Sequence, residues 1–310
     1  MVGATVLSAG GCAHRHRPPP PRLTLRRQLE LYNSRAARLA KMRAIGSVTL
    51  SYTDRYGNPQ VYQAQGTLLL DRAGLAGAGK AALRGRGNVN NKPRTLSPRR
   101  VRSMFTYAGN RENMLLVGRY VGRDVFELGM NAEHYWIIER PPKDAVVGSF
   151  AAGQPGPDAF PLYPLRLLYL LGVTPLHAGV RQALRMRVMR RPQRNVLEVW
   201  RRNAAGRLWL TREIFINRRT DLPARVRLFD QRGRVIAQAL LRKYRVVSPP
   251  GQKLPIGPEF PFHVIIESPV RQSRLSLNMR TATLGLPVDP RIAFRLPDMQ
   301  GLRVQRVGGR

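Results

Sequence analysis

One device recurs along the chain: an alternating apolar–polar segment, a turn opened by Asn or Asp and closed near Gly, and another alternating segment. Asp54-Arg55-Tyr56-Gly57-Asn58 separates residues 48–52 from 61–70. Asn203-Ala204-Ala205-Gly206 separates a segment ending at Trp200 from 208–216, and Asp230-Gln231-Arg232-Gly233 separates 224–229 from 235–246. Asn or Asp accepts backbone N–H bonds in such turns, and Gly takes the positive φ that closes them. A period of two puts every second side chain on one face of a sheet. Further strands are expected at 123–129, 133–139, 183–189, 262–267 and 274–280. Consecutive hairpins without intervening helices require an antiparallel sheet, curved or closed, and exclude a parallel βαβ architecture.

Two segments carry a helical period instead. In 23–42, Leu25, Leu29, Tyr32, Ala36 and Leu39 recur three or four residues apart and make an apolar stripe. Arg26, Arg27, Arg35, Arg38 and Lys41 are expected on the other side. Such a helix packs on a core or, with its Arg-rich face, lies on a membrane surface. The second candidate is 162–171, entered through Pro161 and Pro164 and closed by Gly172. Residues 71–111 are basic, rich in Gly and Asn and without periodicity, and are expected to form a polar insertion between strands. Gly153-Gln154-Pro155-Gly156-Pro157 is a second loop. Hairpins continue on both sides of each loop, so 23–310 is expected to fold as a single domain.

The charge narrows the function classes less than its size suggests. The formal net charge is +35, from 53 basic and 18 acidic residues, and all but six of the basic residues are Arg. The excess is spread along the chain. Aromatic residues make up only 7% and are not interleaved with basic runs as a base-stacking platform requires. No zinc finger, basic zipper or RNA-recognition aromatic motif is present. The charge fits attraction to anionic lipid or an acidic envelope polymer at least as well as nucleic acid. With 310 residues, 43% of them hydrophobic, the chain can bury a sizeable core. No run of about 18 apolar residues lacks a charge, so no membrane-spanning helix is expected.

The lone cysteine excludes an internal disulfide framework and a Cys-cluster metal site. It stands in Val6-Leu7-Ser8-Ala9-Gly10-Gly11-Cys12-Ala13, a short apolar run with small residues before Cys. That is how a lipoprotein signal ends, with the thiol of Cys12 carrying a diacylglyceryl group after cleavage. The segment before it is short and lacks a basic start, as a start assigned too late would produce. The four prolines Pro18-Pro19-Pro20-Pro21 then make an extended, semi-rigid tether. Residues 1–22 are thus expected to be signal and tether.

No catalytic constellation emerges. Gly74-Leu75-Ala76-Gly77-Ala78-Gly79-Lys80 matches seven positions of a phosphate-binding loop, but Ala81 replaces the hydroxyl that would hold magnesium. The Gly- and Asn-rich residues after it cannot make the helix whose N-terminus would face phosphates. His134, His177 and His263 have no partner at metal-ligand spacing. Glu127, Glu133 and Glu139 are expected to pair with the abundant Arg rather than to serve acid–base chemistry. Neither a cofactor nor a metal is expected, and the protein is read as a non-enzyme.

Two segments resemble a known family. Val125-Phe126-Glu127-Leu128-Gly129-Met130-Asn131-Ala132-Glu133-His134-Tyr135-Trp136, followed by Gly148, has the rhythm strand, Gly-x-Asn, aromatic-Trp, strand, Gly. From Ile214 to Gly233 a hydrophobic strand leads to Asn217, then Leu222-Pro223, a second strand and Asp230-x-x-Gly233. Both are similar to the outer-membrane lipoprotein carrier and receptor (LolA/LolB-like) superfamily, especially its planctomycete-type lipoproteins. The resemblance implies a strongly curved antiparallel sheet, an unclosed barrel, with helices plugging its concave side and an apolar cavity for acyl chains between them. It further implies an envelope lipoprotein that binds lipid or lipoprotein acyl chains, anchored to a membrane, the outer one on its periplasmic side. Cavity candidates are Val48, Leu50, Tyr52, Leu68, Leu70, Phe126, Leu128, Trp136 and Ile138. The alternatives are an anchored scaffold whose interior is filled by its own side chains and a polyanion or nucleic-acid binder.

Overall fold

Hairpin neighbours in the sequence remain neighbours in the sheet. The computed structural model describes residues 23–53, 57–72, 112–140, 143–150, 163–178, 182–189, 194–203, 206–252, 254–286 and 289–307. Cys12, the proline tether, the Gly74–Lys80 motif, the Gly153–Pro157 loop and all of the 71–111 insertion but Asp71 and Arg72 lie outside them. The described elements are α1 (Leu25–Arg38), β1 (Lys41–Thr53), β2 (Pro59–Asp71), β3 (Asn113–Tyr120), β4 (Arg123–Met130), β5 (His134–Glu139) and β6 (Asp144–Ser149). There follow α2 (Pro164–Leu170), β7 (Gln182–Met189), β8 (Arg194–Arg202), β9 (Leu208–Asn217), β10 (Pro223–Phe229) and β11 (Val235–Val246). The chain continues through β12 (Glu259–Ser268), β13 (Ser273–Leu284), α3 (Pro290–Ala293) and β14 (Arg303–Val307).

Among the described residues all strands belong to one sheet, in the order β14-β6-β5-β4-β3-β2-β1-β13-β12-β11-β10-β9-β8-β7. Two meanders, β1–β6 and β7–β13, meet where β1 pairs antiparallel with β13. Only β14 runs parallel to its neighbour, β6. β14 and β7 stand at opposite ends of the order, so the sheet does not close. The fold is mainly β, a large curved open sheet with few helices, as the hairpin pattern requires.

The turns work as their residues dictate. Asp230 Oδ1 accepts the N–H groups of Arg232 and Arg234, both at 2.9 Å, and Gly233 has φ +77°. Helix α1 starts at an N-cap, Thr24, whose hydroxyl accepts from Arg27 N at 3.3 Å. It ends at Arg38, short of the expected 42, because the backbone of Met42 is committed to β1 between Leu70 of β2 and Leu284 of β13. A longer helix would forfeit two ladders of hydrogen bonds. β3, β6 and β14 went unforeseen: β6 is short, and β14 is exposed along most of its length and carries no apolar alternation.

The Gly–aromatic rhythm has a steric cause. Gly129 lies opposite Trp136 and Gly148 opposite Tyr135. A Cβ on either glycine would sit 2.1 Å from the facing ring. Both rings are fully buried, and each occupies the space its glycine leaves. Gly129→Ala and Gly148→Ala should each lower the free energy of unfolding by about 1–3 kcal/mol through overpacking. Urea denaturation would show it, and unchanged midpoints would refute the account.

Candidate functional site

The strands present two faces with different coverings. Val48, Leu50, Leu68, Leu70, Phe126 and Leu128 come together in one buried cluster with Tyr32 and Leu39 at α1 and Leu165, Leu167 and Leu168 of α2. This is the helix-covered face. Tyr52 packs against the same cluster from a half-buried position. Trp136 and Ile138 do not join it. They pack on the opposite face with Ala145, under Leu296, Met299 and Leu302 of the C-terminal segment. The cause is parity: Tyr135 and Ile137, one residue out of step, hold the inner positions of β5.

Polar side chains hold the helices on the sheet. Arg72, just beyond β2, is fully buried. Its Nη2 donates to the carbonyl of Ala36 at 2.6 Å, and its Nη1 donates to that of Val173. Arg35 donates to Gly172 O, directly after α2, and to Glu259 O. Asn33 bonds Leu176 twice, through Nδ2 to its carbonyl and from its N–H to Oδ1, both at 2.8 Å. The last carbonyls of a helix have no partner within it and carry partial negative charge. A buried guanidinium supplies one such end, at Ala36 of α1; the other carbonyls that Arg35 and Arg72 bond belong to Gly172 and Val173, in the segment after α2, and to Glu259 of β12. Arg35 thus corrects the expectation that it lies on the polar side of α1. Burial holds the Arg72 guanidinium below its ordinary range, against the opposing pull of Glu112.

A further cation sits within the apolar face itself. The inner residues of β9 are Arg212, Ile214 and Ile216. Across the sheet Arg212 faces Val199 of β8 and Leu228 of β10, both buried. Arg212 is 5% exposed, and its guanidinium lies 4.4 Å from the ring centroid of Tyr169 on α2. Tyr32 of α1 and Glu112 at the start of β3 are within electrostatic reach. Burial lowers the Arg212 guanidinium and raises both the Tyr32 phenol and the Glu112 carboxyl. Arg212 was missed in the sequence although its signal was there. It stands two residues before Ile214, in register with the inward set.

The acidic residues singled out from the sequence do not converge. Glu139 Oε2 accepts the Tyr52 hydroxyl at 2.7 Å, with Tyr62 stacked on Tyr52 at 6.2 Å. Glu127 accepts Trp136 Nε1 at 2.7 Å. Exposed Glu133 lies 3.8 Å from His134 Nδ1. The two half-buried ones, Glu127 and Glu139, are therefore bonded by aromatic donors rather than by Arg. Among the described residues no group of three His, Cys, Asp or Glu side chains is placed to hold a metal ion.

A half-barrel whose apolar face is roofed by two helices is the class of protein these elements define. No protein-family model matches the sequence, and no curated protein matches it either. Solved structures do match. A DUF1329 family protein from Desulfovibrio piger aligns at TM-score 0.50 and 10% identity, over 86% of this chain and 99% of that one. An outer membrane lipoprotein-sorting protein domain from Vibrio parahaemolyticus aligns at TM-score 0.45 and 9% identity, over 86% and 95%. A LolA superfamily protein from Nitrosomonas europaea aligns at 0.43 and 10%, over 89% and 99%. At such identities the likeness to the Desulfovibrio protein is one of fold alone.

Two predictions follow from the polar contacts. Arg72→Met leaves two buried carbonyls without donors and should cost about 2–4 kcal/mol, read by urea denaturation. Burial is the largest influence on Glu139 and raises its carboxyl, while the Tyr52 bond opposes it. A raised carboxyl favours folding while protonated, and that contribution is lost as pH rises through its raised range. Glu139→Gln keeps an acceptor for Tyr52 and removes the titration. Its melting temperature should match the wild type in acid and exceed it increasingly toward neutral pH. Parallel curves would refute the assignment.

Proposed function

We propose that the helix-covered face receives acyl chains of lipids or lipoproteins, and that the protein is a non-catalytic carrier or receptor of the cell envelope. The observation that supports this most directly is the pairing of a broad apolar face with a roof held by a few polar contacts. α1 and α2 cover the hydrophobic strands, and Arg35, Arg72 and Asn33 attach them through bonds to carbonyl groups. Moving such a roof exposes apolar surface while every strand ladder stays intact. Each buried CH₂ contributes about 0.8 kcal/mol, so an acyl chain can repay the displacement. The resemblance carried by Gly129, Trp136, Gly148 and Leu222-Pro223 supports the same reading.

In this proposal residues 1–22 are signal and tether, Cys12 carries the diacylglyceryl anchor, and 23–310 form the body with 71–111 as an insertion. The anchor sits in a membrane of the envelope, the outer one on its periplasmic face. The net charge of +35 adds attraction to anionic lipid.

Native mass spectrometry and lipid extraction of the full chain carrying Cys12→Ser, purified without detergent, test the reading. Co-purifying acyl lipid should be present and should be lost in Leu50→Arg and Leu128→Arg variants that still fold. A clean apo mass that persists after incubation with phospholipid vesicles would overturn it and favour a scaffold filled by its own side chains.

A further inference from the structure

We propose that Arg212 binds a compact anionic head group, a carboxylate or a phosphate monoester, at the end of an acyl chain lodged on the helix-covered face. The proposal rests on the acyl-binding reading and adds to it the chemical class of the ligand.

The argument begins with what the buried cations do. Arg72 and Arg35 give N–H groups to the main-chain carbonyls of Ala36, Val173, Gly172 and Glu259. Arg212 has no such use. Its Nη1 is buried and has no hydrogen-bond partner among the described residues. Its described neighbours include the face of Tyr169, the apolar Val199 and Leu228, and Tyr32, Glu112 and Arg201 at electrostatic range. A guanidinium carries five donors and cannot shed its charge at physiological pH. Placing it among apolar side chains without an acceptor is costly, and a well-packed apolar residue would serve stability better.

The surroundings point to an anion. Among the described residues the buried Tyr32 hydroxyl has no hydrogen-bond partner, nor has Glu112 Oε2. Tyr32 belongs to α1, Tyr169 to α2 and Glu112 to the approach to β3, so the three come to Arg212 from different elements. Guanidinium and phenol are both donors suited to an oxyanion. Among the described residues, the buried cations Arg35, Arg72 and Arg212 all lie within electrostatic reach of Tyr32, and Glu112 is the carboxylate within reach of Arg72 and Arg212. Ile214 and Ile216 continue from Arg212 along the same face of β9 into the apolar cluster. A head group at Arg212 would therefore have its chain on the surface that the acyl-binding reading already uses.

Three ligands of equal chain length separate the possibilities: dodecanoate, dodecyl phosphate and the neutral methyl dodecanoate, titrated calorimetrically into the full chain carrying Cys12→Ser. At least one acid should bind tenfold or more tightly than the ester, and the tighter of the two identifies the head group. Arg212→Gln should abolish that preference and leave ester affinity within about twofold. Glu112→Gln should tighten acid binding several-fold and leave the ester unchanged, a readout independent of whether the Arg212 variant folds. Equal affinity for acid and ester in the unsubstituted site would overturn the anion site while leaving acyl binding standing. Failure of all three ligands to bind would overturn acyl binding itself.

Discussion

The architecture depends on buried arginine side chains that bond main-chain carbonyls at the end of α1 and in the segment following α2. An open sheet with one apolar face cannot stand alone in water, because that face must be covered. Here the cover includes α2, a helix of seven residues, too short to be stable without tertiary contacts. Arg35 reaches from α1 to Gly172, two residues past α2, and Arg72, from the end of β2, joins Ala36 of α1 to Val173 in the same segment. A guanidinium offers several donors in a plane, so one side chain can bridge two elements that share no backbone ladder. This arrangement separates two kinds of stability. The strands are held by continuous ladders, whereas the helices are held by packing and a few polar bonds.

The sheet gains its covering on the second face by a different route. After β13 the chain crosses to the outer side, where Leu296, Met299 and Leu302 cover Trp136 and Ile138, and β14 then adds to β6 in parallel. Asn131 donates to Phe294 O at 3.2 Å, and Arg303 pairs with Asp144 at 2.7 Å, fixing that segment at both ends. β5 is therefore buried on both sides, which is why Tyr135, Trp136, Ile137 and Ile138 are all buried without alternation.

The sequence disclosed the strands where two signals coincided, alternation and a turn of Asp or Asn with Gly. β11 was legible to the residue, and β9 and β10 to within one residue at either end. β14 was not legible, since a polar strand at a sheet edge owes its existence to the neighbour it pairs with. The end of α1 was misplaced for a related reason: the helical period continues past Arg38, but β2 and β13 compete for the backbone of Met42. At the site, six of the nine expected apolar residues gather on the helix-covered face, with Tyr52 half-buried against them. Arg35 and Arg212 were invisible as interior residues because charge was taken as a mark of the surface.

By itself the sequence determined that the chain forms successive hairpins, and therefore an antiparallel sheet with a helix packed upon it. Period two and turn chemistry are local properties, written into residues a few positions apart. Only the tertiary structure decided which of the two faces each alternating set occupies. Alternation says that Trp136 and Tyr135 point in opposite directions but not which of them points inward. That choice depends on what covers each face, and the coverings come from segments distant in the chain. The same holds for Arg72 and Arg212. Whether a guanidinium is solvated, bonded to a helix end or held among leucines is decided by residues over a hundred positions away in one case and by three separate elements in the other.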